Sequence, residues 1–297
     1  MERAAPATAR QSSLVAGGFR LVALRNGAQS VHALEFGETM HPGLGPAAEA
    51  ESLYVKQLRI AERLGHGGTF VVWDVGLGAA ANALAVLRAT VDLGVSLQLL
   101  SFDCSLEPLR FAISHRDALG YFTGYEPMVD KLLETGSAQF LRRRQSVDWT
   151  ACIGDFPSLL KSCGARCPKP DAIFFDPFSP ARNPAMWTAP LFADLFAALD
   201  PARPCSLATY SRSSMTRAAM LLAGFRVGTG RPTGFKEETT VAANTPELIS
   251  APLDRRWLER ARRSDSAEPL RDGKYQKRPL TAETFARLAA HPQFQQT

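Results

Sequence analysis

Short apolar runs alternate with amphipathic stretches between residues 67 and 250. Buried strands are predicted at residues 69–73, 96–102, 147–153, 172–175, 205–210, 225–228 and 239–243. Helical periodicity fills the intervals between most of them, as in residues 79–93 and 184–199. Strands that alternate with helices over this length predict a mostly parallel, seven-stranded sheet with helices on both faces, the Rossmann-like α/β class.

The pattern changes outside this region. Residues 1–17 lack the continuous apolar core of a signal peptide, and we expect them to be disordered. Residues 18–66 predict a small N-terminal extension, a hairpin turning at Asn26-Gly27 followed by a helix over 47–64. Residues 251–297 are expected to form a basic tail. Within it, residues 252–279 hold nine Lys or Arg against five Asp or Glu, typical of a solvated segment or of an arm that contacts a polyanion.

Composition limits the class of protein. Hydrophobic residues make up 45% of the chain and charged residues 21%, ordinary values for a globular protein with a full core. The net charge of +5 is compatible with a nucleic-acid partner but does not require one. The longest apolar stretch, residues 67–87, is interrupted by Asp74 and several glycines, so no membrane span is predicted and a cytoplasmic location is expected. The five cysteines have neither disulfide-framework nor metal-ligand spacing, and no metal site is predicted.

A glycine-rich turn follows the first predicted strand of the sheet. Asp74, Gly76 and Gly78 occupy this turn. Glycines permit a tight strand-to-helix connection and let a ligand approach the backbone, while the following helix directs its N-terminus toward that ligand. Ala81 stands where a dinucleotide fingerprint has its third small residue. A plain turn can share this pattern, so the turn alone predicts only a candidate cofactor loop.

Acids follow the next two predicted strands. Asp103 ends strand 96–102, 25 residues after Gly78, where Rossmann-like sheets hold ribose hydroxyls. Asp155 follows strand 147–153, at a rim where nucleobases bind. Either acid could instead cap the helix that follows it. The ligand-binding and capping interpretations are compatible, and both stay open.

An acid, prolines and aromatic residues crowd the loop after strand 172–175. Asp176, Pro177 and Phe178 resemble the D/N-P-P-Y/F loop of amino-group methyltransferases. A carboxylate there can accept the N–H groups of an amine and orient its lone pair, and an aromatic face can stabilise developing positive charge. The alternative is a turn before a helix that starts at Asn183-Pro184. The concentration of chemical groups favours function, with Asp176 and Phe178 catalytic and Pro177 in contact with the substrate.

Together these segments resemble the methyltransferase domain of the bacterial tRNA wobble-uridine modification enzymes of the MnmC/MnmD type. The resemblance runs in order over residues 20–245. It is most specific at 176–187, where the family has D-x-F-x-P-x-x-N-P-x-M-W. Residues 207–227 match the next strand and helix, and Asn82 completes the family's G-x-G-x-x-x-N loop.

The resemblance implies a class I methyltransferase that transfers a methyl group from S-adenosylmethionine to the exocyclic amine of 5-aminomethyl-2-thiouridine at the tRNA wobble position. The residues implied to hold the cofactor are Glu51, Asp74, Gly76, Gly78, Asn82, Asp103 and Asp155. Those expected to contact substrate or RNA, besides Pro177, are Arg182, Trp187 and Lys236. Further candidates for a basic docking surface are residues 142–144, Arg212, Arg217 and the 255–278 cluster, although each could be an ordinary surface charge.

The chain departs from the family pattern in places. Ala79 and Ala80 stand where the family often has Thr and Gly, and Pro177 replaces a small residue. The length leaves no room for the FAD-dependent oxidase domain of some members, so a stand-alone form is expected. Two alternatives stay open: an enzyme acting on a small free amine, and an inactive methyltransferase fold that binds RNA or a protein.

Overall fold

A computed structural model describes residues 15–64, 68–163, 166–232 and 237–295. In chain order the strands are β1 (Val15–Ala16), β2 (Phe19–Ala23), β3 (Gln29–Ala33), β4 (Glu38–Thr39), β5 (Thr69–Val75), β6 (Ser96–Asp103), β7 (Ser137–Arg142), β8 (Gln145–Ile153), β9 (Ala172–Phe175), β10 (Ser206–Thr209), β11 (Arg226–Gly230) and β12 (Thr239–Ala243). The helices are α1 (Pro46–Ala50), α2 (Ile60–Arg63), α3 (Ala81–Thr90), α4 (Glu107–Ser114), α5 (Arg116–Leu119), α6 (Glu126–Thr135), α7 (Phe156–Cys163), α8 (Ala189–Ala197), α9 (Ser214–Ala223), α10 (Arg255–Arg262), α11 (Ala282–Ala289) and α12 (Pro292–Gln295).

The central sheet has eight strands in the order β11-β12-β10-β9-β5-β6-β8-β7. Strands β8, β6, β5, β9 and β10 are parallel, whereas β12 and β7 run antiparallel to their neighbours. The predicted Rossmann-like class and all seven predicted strands are confirmed. The eighth strand, β7, was not predicted. It extends the sheet by pairing with β8 as an edge hairpin.

Strand register brings the predicted site segments to one edge of the sheet. Val75, the last residue of β5, pairs with Phe102 on one side and with Phe175 on the other. Because parallel strands end at the same edge, the residues that follow them, among them Gly76 and Asp176, lie side by side. We call this the carboxyl edge.

Two apolar layers enclose the sheet. Successive side chains of a strand point to opposite faces, so Val72 joins the layer that contains α3, and Trp73 joins the layer that contains α8 and α9. Helix α3 is rich in Ala and Leu, which favour helix, and eight of its ten residues are buried. Among the described residues, no helix is both long and apolar enough to cross a membrane.

The N-terminal extension contains more strands than the single hairpin that was predicted. Strands β1 to β4 form a separate antiparallel sheet, in which the predicted hairpin turns at Asn26-Gly27 with Gly27 at a φ of 83°. The continuous helix expected over 47–64 is wrong. It divides into α1, a π-helical turn at Glu51–Lys56, and α2, with Arg59 in the left-handed region at a φ of 53° before α2. Of the residues predicted to be disordered, 1–14 lie outside the described range, and Val15–Ala16 form β1.

The solvated C-terminal tail predicted for 251–297 is also wrong for residues 251–295. Helices α10 and α11 pack on the sheet's second apolar layer, and Trp257 and Leu258 are each 4% exposed. The Trp257 ring stacks on Phe294 with ring centroids 6.3 Å apart. The prediction was based on the many charged residues of this segment. However, Trp257, Leu258 and Ala261 share one face of α10, and this apolar face is enough to pack the helix against the core.

Candidate active site

The glycine turn, residues 74–78, lies at the end of β5. The loop that begins at Asp176 follows β9, and we call it the Asp176 loop. The two are in backbone contact. Gly76 has a φ of 97°, and a Cβ atom added to it would lie 2.8 Å from the Asp176 carbonyl oxygen. Only glycine satisfies both the conformation and the space. Two segments 100 residues apart in sequence thus meet at the carboxyl edge, as the sequence predicted.

Asp103 is hydrogen-bonded to the same turn. Its Oδ2 accepts a hydrogen bond from the Gly78 N–H at 2.8 Å, and its Oδ1 accepts one from the Cys104 N–H at 2.7 Å. Burial raises the pKa of Asp103, although both hydrogen bonds oppose that shift. The Gly78 N–H, expected to face a ligand, is therefore occupied by Asp103, which fixes the carboxylate beside the turn.

The Asp176 carboxylate is held by two side chains. Asn82 Nδ2, in the first turn of α3, donates to Asp176 Oδ2 at 2.8 Å. His41 Nε2 lies 3.5 Å from the same oxygen. The Asp176 side chain keeps 14% of its surface exposed, so it is oriented from within the protein yet reachable from outside. Asn82 belongs to the predicted set, but His41 does not.

His41 itself is held by a buried acid. Its Nδ1 lies 3.8 Å from Glu49 Oε2, and the other oxygen of Glu49 accepts hydrogen bonds from the Gly43 and Leu44 N–H groups. The His41 and Glu49 side chains are 9% and 8% exposed. Glu49, His41 and Asp176 thus form a buried row of titratable groups. We call it the acid–histidine row.

Several buried polar atoms around Asp176 lack partners among the described residues. They are Asp74 Oδ1, Asn82 Oδ1 and the Tyr54 hydroxyl. Burial and then the charge of Asp176 raise the pKa of Tyr54 well above its usual value, so this hydroxyl stays protonated. Burial raises the pKa of Asp74 to about 8. Unpaired buried polar groups cost free energy and are expected where a polar ligand completes them.

The Asp176 loop is supported from below by aromatic side chains. The Tyr210 hydroxyl donates to the Pro177 carbonyl at 2.8 Å, and Trp187 Nε1 donates to the Phe178 carbonyl at 2.8 Å. Trp187 is fully buried, and its ring packs edge-on against Phe175. The prediction that Trp187 contacts substrate is therefore wrong in this structure, because the ring supports the loop from inside. Pro177, likewise predicted to contact the substrate, is buried as well, so the structure does not expose its ring to a substrate either.

The N-terminal sheet covers the same loop from above. Phe36 stacks on Phe178 with ring centroids 4.1 Å apart and an interplanar angle of 16°. Glu38 accepts hydrogen bonds from the N–H and hydroxyl of Ser179. Met40 Sδ lies 3.3 Å from the position a Cβ would take on Gly78. The small sheet is therefore part of the site, which the sequence did not indicate.

Other predicted cofactor residues stand apart from Asp176. Asp155 is exposed and caps α7 through the N–H and hydroxyl of Ser158, which realises the capping interpretation without excluding the other. Glu51 is about half exposed and pairs with Lys56 at 2.8 Å, so the structure does not bring it to Asp176. Glu49, two residues earlier, is the buried acid there.

The predicted basic residues divide between two edges of the molecule. Arg182 and Arg212 are exposed at the carboxyl edge, following β9 and β10. Arg217 is 2% exposed and bonded to Glu238, so its candidacy for docking is wrong. Residues 142–144 turn from β7 into β8, at the opposite edge of the sheet. Lys236 lies outside the described residues.

A cleft of about 430 Å³ also opens at that opposite edge. It is lined by residues that include Arg63 and Arg203. Arg63 donates to Ser206 and to the Asp171 and Pro204 carbonyls, while Arg203 pairs with Asp171. These cations are occupied by structural contacts, so the cleft offers no comparable chemistry. Among the described residues, no group of three or more His, Cys, Asp or Glu could hold a metal ion.

The polar atoms at the carboxyl edge suit a ligand with several kinds of polar group. The unpartnered Asp74 oxygen can accept from an ammonium group, whose positive charge favours the ionised carboxylate. The Tyr54 hydroxyl lies near the Asp176 carboxylate and is a further donor at this edge, and Asp103 can accept from ribose hydroxyls. An amino acid joined to a nucleoside carries both an ammonium group and ribose hydroxyls.

Comparisons with known proteins agree with this geometry. A family model described as S-adenosyl-L-methionine-dependent methyltransferase matches residues 126–245. The tRNA 5-methylaminomethyl-2-thiouridine biosynthesis bifunctional protein MnmC of Ectopseudomonas mendocina is 30% identical over 224 residues, which cover 71% of this chain and 33% of that protein. MnmC of Methylibium petroleiphilum is 29% identical over 233 residues, 75% of this chain and 34% of that protein. The chain thus spans about a third of the length of these relatives.

A solved structure extends the likeness to most of the chain. The crystal structure of MNMC2 from Aquifex aeolicus superposes with a TM-score of 0.67 at 25% sequence identity, covering 92% of this chain and 85% of that one. Sheet topology, site geometry and sequence similarity converge on one enzyme class and one cofactor, S-adenosylmethionine. The chain therefore contains an S-adenosylmethionine-dependent methyltransferase domain of the MnmC/MnmD type.

Proposed function

We propose that the chain methylates the aminomethyl group of a wobble uridine in tRNA, giving 5-methylaminomethyl-2-thiouridine. The observation that carries the proposal is the Asn82-held Asp176 carboxylate, in backbone contact with the glycine turn at Gly76. The similarity to MnmC supports the choice of substrate. A tRNA substrate also supports a cytoplasmic location and binding of the anticodon stem-loop.

The cofactor is held, on this proposal, by the turn and the acids around it. Gly76 and Gly78 form the floor, Asp103 accepts from the ribose, and Asp74 and Asn82 face the amino-acid end. S-adenosylmethionine, when bound, supplies the electrophilic methyl group.

Asp176 orients the substrate amine. Its carboxylate accepts N–H hydrogens of the amine and thereby fixes the direction of the nitrogen lone pair. Asn82 holds one carboxylate oxygen at 2.8 Å, so the acceptor is set before the substrate arrives. Pre-set geometry lowers the barrier because less freedom is lost in the reaction step.

Phe178 and the N-terminal sheet close the substrate side. The Phe178 ring is fixed by the stacked Phe36, and its carbonyl is fixed by Trp187. A fixed aromatic face beside Asp176 can stabilise the positive charge that develops on the amine, and it excludes water from the reacting nitrogen.

The acid–histidine row is suited to moving a proton. The methylated nitrogen must release one proton for the product to become neutral. Asp176 contacts the nitrogen in the proposed pose, and His41 lies 3.5 Å behind Asp176. Glu49 lies on the other side of the imidazole and can stabilise its protonated form. We propose that His41 receives the proton by way of Asp176.

The decisive assay compares candidate substrates under identical conditions. The purified chain is incubated with S-adenosylmethionine and either tRNA carrying the aminomethyl precursor or a panel of small amines, and the products are identified by nucleoside mass spectrometry. We expect one methyl group to be added at the wobble uridine. The control is tRNA already carrying the methylated nucleoside, which should gain nothing. Turnover of small amines without tRNA turnover would contradict the proposal, as would absence of turnover with every substrate.

A further inference from the structure

A loop in the C-terminal part of the chain concentrates positive charge outside the matched family region. The family model ends at residue 245, whereas residues 271–279 are all exposed. We call these residues the basic loop. It contains four cations, Arg271, Lys274, Lys277 and Arg278, and one acid, Asp272, which gives a net charge of +3.

The basic loop is closed at its base by one buried acid. Glu268, 9% exposed, accepts hydrogen bonds from the Thr281 N–H at 3.0 Å and from the Thr284 hydroxyl at 2.7 Å. The Glu268 N–H donates to the Arg278 carbonyl at 3.0 Å. The two ends of the loop are therefore held together by hydrogen bonds within the folded domain. A pre-ordered loop loses less conformational entropy on binding than a flexible tail.

The base of the loop is fixed beside the active-site edge. The Ala189 N–H, at the start of α8, donates to the Leu270 carbonyl at 2.8 Å, and Thr188 forms a β-bridge with Leu270. A Cβ on Gly273 would lie 3.7 Å from the Ala185 Cβ. These partners directly follow the Asp176 loop in sequence, so the basic loop lies on the carboxyl edge.

The charges on this loop are available to a partner. Arg271 pairs with Glu268 at 3.2 Å. No ion pair among the described residues involves Lys274, Lys277 or Arg278. Tyr275, between them, is 39% exposed and offers an aromatic face. Unpaired cations around an exposed aromatic ring are suited to a nucleic-acid backbone with unstacked bases.

We propose that the basic loop binds backbone phosphates of the tRNA whose wobble nucleoside reaches Asp176. The proposal rests on the proposed function and adds a docking surface to it. The exposed Arg182 and Arg212, on the same edge, extend the positive surface toward Asp176. Phosphate contacts position a nucleic acid without reading its sequence, so the loop contributes affinity and orientation.

The test removes the three unpaired charges together, as Lys274→Gln, Lys277→Gln and Arg278→Gln in one variant. The matched control removes three exposed cations at or near the opposite edge, as Arg143→Gln, Arg144→Gln and Lys161→Gln. Both variants change the net charge equally. Binding of precursor tRNA is measured by filter binding over a series of salt concentrations, and methylation kinetics are measured alongside.

We expect the loop variant to bind tRNA about tenfold more weakly and to lose about 2 from the magnitude of its log–log salt slope, since each lost phosphate contact removes somewhat less than one. Its affinity for S-adenosylhomocysteine and its kcat at saturating tRNA should equal those of the wild type, as should all properties of the control. Unchanged tRNA affinity in the loop variant would overturn the proposal and favour an acidic protein as the loop's partner. Because binding is measured without turnover, this outcome is independent of whether tRNA proves to be the methyl acceptor.

Discussion

Gly76 and Asp176 touch through their backbones, with 2.8 Å between the position of a Gly76 Cβ and the Asp176 carbonyl oxygen. This contact joins the cofactor turn to the loop that carries the catalytic acid. A change in either segment is therefore transmitted to the other. Neither segment has the space to move independently at this point.

Gly76→Ala should abolish methylation by displacing the Asp176 loop. The matched control is Gly120→Ala, since Gly120 has a similar φ of 72° but nothing within 4 Å of its added Cβ. Both variants pay the conformational penalty of a positive φ, about 1–2 kcal/mol. Only Gly76→Ala should lose about 100-fold or more in methylation rate, because small displacements of reacting groups are that costly. Equal rates for the two variants would show that the contact is irrelevant.

His41→Ala should slow methylation without weakening cofactor binding. Loss of the imidazole removes one of the two side chains that hold Asp176 and breaks the acid–histidine row. We expect about a tenfold lower kcat, equivalent to about 1.4 kcal/mol of barrier. His32→Ala is the control, because His32 lies in the same small sheet and bonds to Thr39 rather than to Asp176. A wild-type pH–rate profile in His41→Ala would remove the residue from proton transfer.

Asp74 should make stability depend on pH. Burial raises its pKa to about 8, from an ordinary value near 4. The folded protein thus retains a proton that the unfolded chain releases. The resulting stability is full at low pH and is lost as pH rises toward about 8, by at most about 1.4 kcal/mol per pH unit.

Denaturant unfolding of the wild type and Asp74→Asn from about pH 5 to about pH 8 measures this effect. As pH rises, the unfolding free energy of the wild type should fall steadily relative to that of Asp74→Asn. Asp130→Asn, a change at an exposed acid of α6, should follow the wild type throughout. Parallel curves for the wild type and Asp74→Asn would contradict the burial argument.

Trp257→Ala should destabilise the whole domain. The Trp257 ring is 4% exposed and stacks on Phe294, so its removal should lower the free energy of unfolding by about 3–5 kcal/mol. Tyr275→Ala, which truncates an exposed ring in the basic loop, should change it by less than about 0.5 kcal/mol. Equal stability of the two variants would mean that the C-terminal helices do not contribute to the core.

The parts of the fold that the sequence predicted correctly are those set by local periodicity. The seven strands of the predicted sheet carried either apolar runs, as in 172–175, or apolar residues that alternate with polar ones, as in 147–153. The ends of these strands located Gly76, Asp103 and Asp176 without further information. The edge strand β7 was missed because apolar and polar residues alternate only weakly along it. Its Leu141 breaks the alternation, since this apolar side chain is 76% exposed.

The residues that were missed depend on tertiary contacts. His41 and Phe36 lie in loops of the N-terminal sheet, and nothing in their local sequence indicates where that sheet docks. Glu51 was assigned to the cofactor because the resemblance to the family implied it, whereas the structure leaves Glu51 about half exposed and buries Glu49 instead. Trp187 was assigned to substrate because sequence alone does not distinguish a loop-supporting ring from a contacting one.

The most direct test of the account is the rate of methyl transfer to precursor tRNA by Asp176→Ala at saturating S-adenosylmethionine. The Asp176 carboxylate is assigned to orient the substrate amine, so we expect its removal to lower the rate by about 100-fold or more. Calorimetric affinity for S-adenosylhomocysteine should stay within about threefold of the wild type, since the turn and Asp103 are unchanged. A wild-type rate of transfer in Asp176→Ala would contradict the assignment of this carboxylate to the substrate amine.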